Sequence, residues 1–71
     1  MALSARNRLQ GTVRSLETDG IMADIEIETD GGQTVTAVIT SDSVERLGID
    51  EGDDVNAVIK ATEVMVENAS D

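Results

Sequence analysis

Residues 21–40 decide the fold: Ile21-Met22-Ala23-Asp24-Ile25-Glu26-Ile27-Glu28-Thr29-Asp30-Gly31-Gly32-Gln33-Thr34-Val35-Thr36-Ala37-Val38-Ile39-Thr40. Ile21, Ala23, Ile25 and Ile27 alternate with Met22, Asp24, Glu26 and Glu28. A period of two puts the first set on a buried face and the second in water, which is a half-buried strand. Asp30-Gly31-Gly32 then breaks the pattern at a tight hairpin, because glycine tolerates positive φ. Beyond it Val35, Ala37 and Ile39 alternate with Thr34, Thr36, Val38 and Thr40, so a second strand returns antiparallel to the first.

The same period extends outward on both sides. Upstream, Leu9, Gly11 and Val13 alternate with Arg8, Gln10, Thr12 and Arg14, which makes a first strand with Gly11 at a bend or bulge. Downstream, Ser41 to Gly48 reads as a short helix. Ser41 or Asp42 caps it, Val44 and Leu47 share its apolar side, and Gly48 suits the C′ position. Asp50-Glu51-Gly52-Asp53 turns into a fourth strand carrying Val55, Ala57 and Ile59, and Val64 with Val66 gives a short fifth. This order predicts a mainly β protein: a small five-stranded OB-like barrel with one short α-helix. It forms one domain over residues 1–67, with 68–71 as a frayed tail.

Composition narrows what such a barrel does. The chain has 71 residues, no Phe, Tyr or Trp, no Cys and no His. A core of small aliphatics in so short a chain buries little surface, and such domains are usually stapled. Disulfides are excluded and a zinc staple is disfavoured, which leaves self-association. Arg6, Arg8 and Arg14 give residues 1–16 a charge of +3. Arg46 and Lys60 stand against fifteen acids in the rest, −13, for the net −10. A single lysine among many carboxylates resembles the proteins of extreme halophiles, although an ordinary acidic domain has the same look. No apolar run of about twenty residues and no signal-like start is present, so a cytoplasmic protein away from membranes is expected.

Several functions are disfavoured. Single-strand nucleic-acid binders use aromatic platforms in a basic groove, and this chain has neither. Catalysis lacks its commonest general base and its commonest thiol. A Ser4–Lys60 nucleophile pair is conceivable, yet a strand-start hydroxyl and a solvated cation are far commoner. Asp50, Glu51, Asp53 and Asp54 lack EF-hand spacing, and a solvated acidic surface accounts for them. The remaining polar chemistry is Ser4-Ala5-Arg6-Asn7 near one end and Lys60-Ala61-Thr62-Glu63 near the other. A hydroxyl and two cations suit a small oxyanion, whose oxygens only accept hydrogen bonds.

These clusters carry a family resemblance. Ser4-Ala5-Arg6-Asn7 with Leu9, Gly11 and Val13 resembles the start of the molbindin (Mop, or TOBE-type) domains. Thr36-Ala37-Val38-Ile39-Thr40 with Ser43, Leu47-Gly48 and Gly52, then Ala57-Val58-Ile59-Lys60-Ala61-Thr62-Glu63-Val64-Met65, continue it over residues 2–66. The resemblance implies a homohexamer, a trimer of dimers, that binds molybdate or tungstate between subunits and stores or buffers it without transforming it. It implies Ser4, Arg6, Lys60 and the backbone N–H of Ala61 as ligands. Asn7 is a further ligand or else fixes the register of the first strand, and the Gly20-Ile21-Met22 turn of a neighbouring subunit adds backbone donors. Ala61 departs from relatives that carry a hydroxyl there. Arg8 and Arg14 are expected in subunit-surface ion pairs and not on the anion. The alternative is a stand-alone oxyanion sensor. If the chain is complete, it has no output domain in cis and needs a protein partner for that role.

Overall fold

A computed structural model describes residues 5–70. Four strands form one antiparallel sheet: β1 (Ala5–Asp19), β2 (Met22–Thr29), β3 (Thr34–Thr40) and β4 (Asp54–Lys60). Their order across the sheet is β3-β2-β1-β4, so β3 and β4 are its edges. One helix, α1 (Ser41–Leu47), links β3 to β4, and a 3-10 turn (Ala61–Glu63) follows β4.

The alternation read from residues 21–40 is the alternation that folds. Ala23, Ile25 and Ile27 are buried on β2, and Val35, Ala37 and Ile39 pack beside them from β3. Ile25 lies opposite Ala37 and Leu16 in the two neighbouring strands. Val13, Val44 and Ala57 complete the core. Thr29 ties the hairpin, with its N–H donating to Gln33 O at 2.7 Å and its hydroxyl accepting from Gln33 N at 3.1 Å.

Five expectations need correction. The first strand continues to Asp19, because a bulge between Val13 and Ser15 shifts the inward set from Leu9, Gly11 and Val13 to Leu16. Glu51 and its neighbours hold that bulge: Glu51 Oε2 accepts from Leu16 N, and Gly52 N donates to Val13 O. The bulge is therefore not at Gly11, where the backbone instead closes on β2 so tightly that a Cβ would lie 2.5 Å from Glu28 O. Ile21 belongs to the β1–β2 turn and is exposed, because Met22 is the first paired residue of β2. The cap of α1 is Thr40, whose Oγ1 accepts from Ser43 N at 3.0 Å, and Leu47 is exposed while Val44 is buried.

The fifth correction concerns Val64 and Val66. Among the described residues there are four strands, and residues 64–68 pair with none of them. The sheet curls into an open half-barrel, with α1 against β2 and β3. Turning into the 3-10 helix carries the chain off the β4 ladder just where the short strand would begin.

Candidate functional site

The β1–β4 pair brings the two polar clusters together. Ala5 lies opposite Lys60, and Asn7 opposite Ile59, with a register shift between them that leaves Arg6 as the extra residue. Such a bulge bends its strand and re-aims the side chain it carries. Arg6 and Lys60, fifty-four positions apart in sequence, thus flank the same strand end. Ser4 lies outside the described residues.

The two cations are uncommitted. Among the described residues the ion pairs are Arg14 with Glu28 and, at 3.3 Å, Arg46 with Asp42. Arg6, Arg8 and Lys60 form none. Arg14 pairs within its own chain, reaching from the bulge of β1 to the wet face of β2. Arg8 follows the bulge in the regular ladder, opposite Val58.

Asn7 has a visible structural task, because its Nδ2 donates to Ile59 O at 3.2 Å and pins β1 to β4 beside the bulge. One Nδ2 hydrogen remains for another acceptor. Ala61 opens the 3-10 turn, capped by Lys60 without a side-chain bond. The first N–H groups of a helical turn have no carbonyl within the turn to donate to, so they face outward as donors. Glu63, in the same turn, is the nearest carboxylate along the chain. The local donor set is therefore one guanidinium, one ammonium and backbone amides, suited to an anion and not to a metal cation.

Gly20, Ile21 and Met22 are elsewhere. Met22 pairs with Asp19 at one end of β1, whereas Lys60 pairs with Ala5 at the other. Gly20 has φ +67° and Ile21 a negative φ, the signature of a two-residue II′ turn. The Gly20 and Ile21 N–H groups have no backbone acceptor among the described residues. Their carbonyls are held by Ser41: its hydroxyl donates to Gly20 O at 2.9 Å and to Met22 O at 3.2 Å, and its N–H to Ile21 O at 2.8 Å. Ser41 was read only as a cap, and its buttressing of the turn has no local signal because it spans twenty-odd residues. An open depression of about 590 Å³ lies there, lined by Gly20, Ile21, Ser41, Asp42, Glu45 and Arg46. A single chain does not bring this turn to Arg6 and Lys60.

Comparison with known proteins agrees over nearly the whole chain. The TOBE domain model matches residues 3–66. Molybdenum-pterin-binding protein 1 of Clostridium pasteurianum is 47% identical over 66 residues, covering 93% of this chain and 97% of that protein. Two solved structures are similar throughout. A molybdate-binding protein from Sporomusa ovata superposes with a TM-score of 0.88 at 40% identity, covering 96% of this chain and all of that one. MopII from Clostridium pasteurianum gives 0.87 at 42% identity, covering 94% and 100%.

Proposed function

This chain belongs to the TOBE-domain family, of the molbindin type, and on that premise we propose that it binds molybdate and releases it unchanged. The anion is held in pockets of a homo-oligomer, a hexamer built as a trimer of dimers, that stores or buffers it in the cytoplasm. Tungstate, with the same donors and nearly the same size, is the competing ligand. Residues 1–67 make up the binding domain.

The observation that supports this most is the placement of Arg6, in the bulge between Ala5 and Asn7, at the same end of β1 and β4 as Lys60, neither forming an ion pair among the described residues. Molybdate at neutral pH is a tetrahedral dianion, so every oxygen accepts and none donates. Arg6 supplies a fork of N–H groups, Lys60 a mobile ammonium, Ala61 a backbone N–H and Ser4 a hydroxyl, with Asn7 beside them. Charge-assisted bonds of this sort contribute about 1.5–3 kcal/mol each. Gly20, Ile21 and Met22 contribute only from another copy, because in one chain they lie at the far end of β1. A pocket completed that way makes binding and assembly one equilibrium.

Bulk charge does not forbid the anion. At about 1 M salt the Debye length is about 3 Å, so distant carboxylates are screened and contacting donors decide. The test is native mass spectrometry with elemental analysis of the purified protein after incubation with molybdate. Retained molybdenum on a multi-chain species is expected. A metal-free protein that stays so at millimolar molybdate refutes the reading.

A further inference from the structure

The turn between β2 and β3 carries a reactive pair of residues that neither the sheet nor the anion site uses. Asp-Gly occurs twice in the chain, at Asp19-Gly20 and at Asp30-Gly31. In such a pair the carboxyl group stands next to a backbone nitrogen whose residue has no Cβ, so the nitrogen is open to close approach. The fold treats the two pairs differently.

Asp19-Gly20 is locked. Asp19 pairs with Met22 at the end of the β1–β2 ladder. Ser41 then clamps the turn from the other side, its hydroxyl on Gly20 O at 2.9 Å and Met22 O at 3.2 Å, and its N–H on Ile21 O at 2.8 Å. Swinging the Gly20 nitrogen towards the Asp19 carboxyl breaks that pairing and disturbs all three bonds.

Asp30-Gly31 is loose. Both residues are exposed, and among the described residues the Asp30 carboxylate and the Gly31 N–H have no hydrogen-bond or ionic partner. Asp30 itself is anchored, because its N–H donates to Gln10 O at 2.9 Å. Past that anchor, the bond that opposes a swing of the Gly31 nitrogen is Gly32 N to Thr29 O at 2.9 Å. Two successive glycines absorb the rotation at little steric cost. A Cβ built at Gly31 would have Thr29 Oγ1, at 4.0 Å, as its nearest neighbour, so the surroundings are open. Asp30 also borders a depression of about 290 Å³, shared with Gln10, Asp54 and Asn56, through which water reaches it.

We propose that Asp30-Gly31 is a modification site at which Asp30 converts to isoaspartate. Gly31 N bonds to Asp30 Cγ as the carboxyl C–OH bond breaks, and the amide proton leaves with that hydroxyl as water. The product is a five-membered succinimide. Water then reopens the ring at one of its two carbonyls. Attack at Cγ breaks the new bond and restores aspartate. Attack at the main-chain carbonyl breaks the original peptide bond and leaves the chain running through Cβ and Cγ. Nothing is oxidised or reduced, and the water consumed replaces the water released. The turn gains one main-chain carbon beyond its anchor on Gln10, at unchanged charge. The conversion needs neither a bound anion nor a second copy.

The experiment incubates full-length protein in 18O-water at neutral pH, folded in molar KCl and, separately, unfolded in guanidinium chloride. Trypsin, used in ordinary water, releases residues 15–46 as one peptide that carries both pairs, so each serves as the other's control. Electron-transfer fragmentation locates the 18O and identifies isoaspartate by cleavage of its Cα–Cβ bond. In the folded protein, 18O and isoaspartate are expected at residue 30 at several times the level at residue 19. In the unfolded chain both residues are expected to react alike. Gly31→Ala, at a position without positive φ, is expected to keep the fold and remove most of the label from residue 30. Equal labelling of the two residues in the folded protein, or none at residue 30, overturns the assignment. So does label at residue 30 that survives Gly31→Ala. A residue 19 that stays unreactive when unfolded also overturns it, because the difference would then not come from the fold.

Discussion

Replacing Gly11 with alanine tests the packing of the sheet at its tightest point. Gly11 lies in β1 between Thr29 of β2 and Val55 of β4. A Cβ built there meets Glu28 O at 2.5 Å, Ile27 Cγ2 at 2.8 Å and Glu28 C at 3.0 Å. Neither neighbour yields easily. The Glu28 carbonyl belongs to the backbone of a central strand paired on both sides, and Ile27 is buried in the core. Relief requires β1 and β2 to separate, an overpacking cost of about 1–3 kcal/mol. Alanine returns about 0.4–1 kcal/mol by restricting the unfolded chain. The net loss is about 1–2 kcal/mol, which for a domain of this size lowers Tm by roughly 5–15 °C. Gly31→Ala is the control, because its nearest neighbour would be Thr29 Oγ1 at 4.0 Å and its φ is not positive. Thermal unfolding followed by circular dichroism decides. If Gly11→Ala melts within two or three degrees of Gly31→Ala, the close approach of β1 to β2 is wrong.

Three further outcomes are expected. Thr40→Ala removes the cap on Ser43 N and costs about 1 kcal/mol, read as a lower Tm; an unchanged Tm rejects Thr40 as the cap. Glu17 and Asp24 face each other across β1 and β2, and like charges so placed repel, so Asp24→Asn raises Tm in millimolar salt and loses that gain in molar salt. A gain that persists in molar salt contradicts the electrostatic cause. Fifteen acids against five bases make self-repulsion strongest at low ionic strength, so Tm of the unaltered protein rises from millimolar to molar KCl. A flat or falling trend refutes this.

Period-two alternation made β2, β3 and β4 legible because each has one dry and one wet face throughout. The second half of β1 was not, because the bulge after Val13 moves Leu16 to an even position and breaks the count. Thr40 was passed over for Ser41 because adjacent hydroxyls compete for the cap and only backbone geometry separates them. Val64 and Val66 have a strand's spacing whatever they pair with, so the pattern carries the propensity and not the partner. At the site, the grouping of Arg6 with Lys60 came from the family resemblance, while the bulge that singles out Arg6 depends on backbone register, which residue types do not encode. The separation of the Gly20 turn from that strand end is likewise a matter of β1 being fifteen residues long.

The central claim is that Arg6 and Lys60 grip an oxyanion. It is tested most directly by calorimetric titration of molybdate into the unaltered protein, Arg6→Ala, Lys60→Ala and Arg8→Ala. Loss of one charge-assisted bond weakens binding by about 10- to 150-fold, and this is expected for Arg6→Ala and Lys60→Ala. Arg8→Ala removes the same charge from the regular ladder that follows the bulge and is expected to bind as the unaltered protein does. Equal weakening in all three variants contradicts the account, because the anion would then be responding to general charge and not to a pocket at the end of β1 and β4.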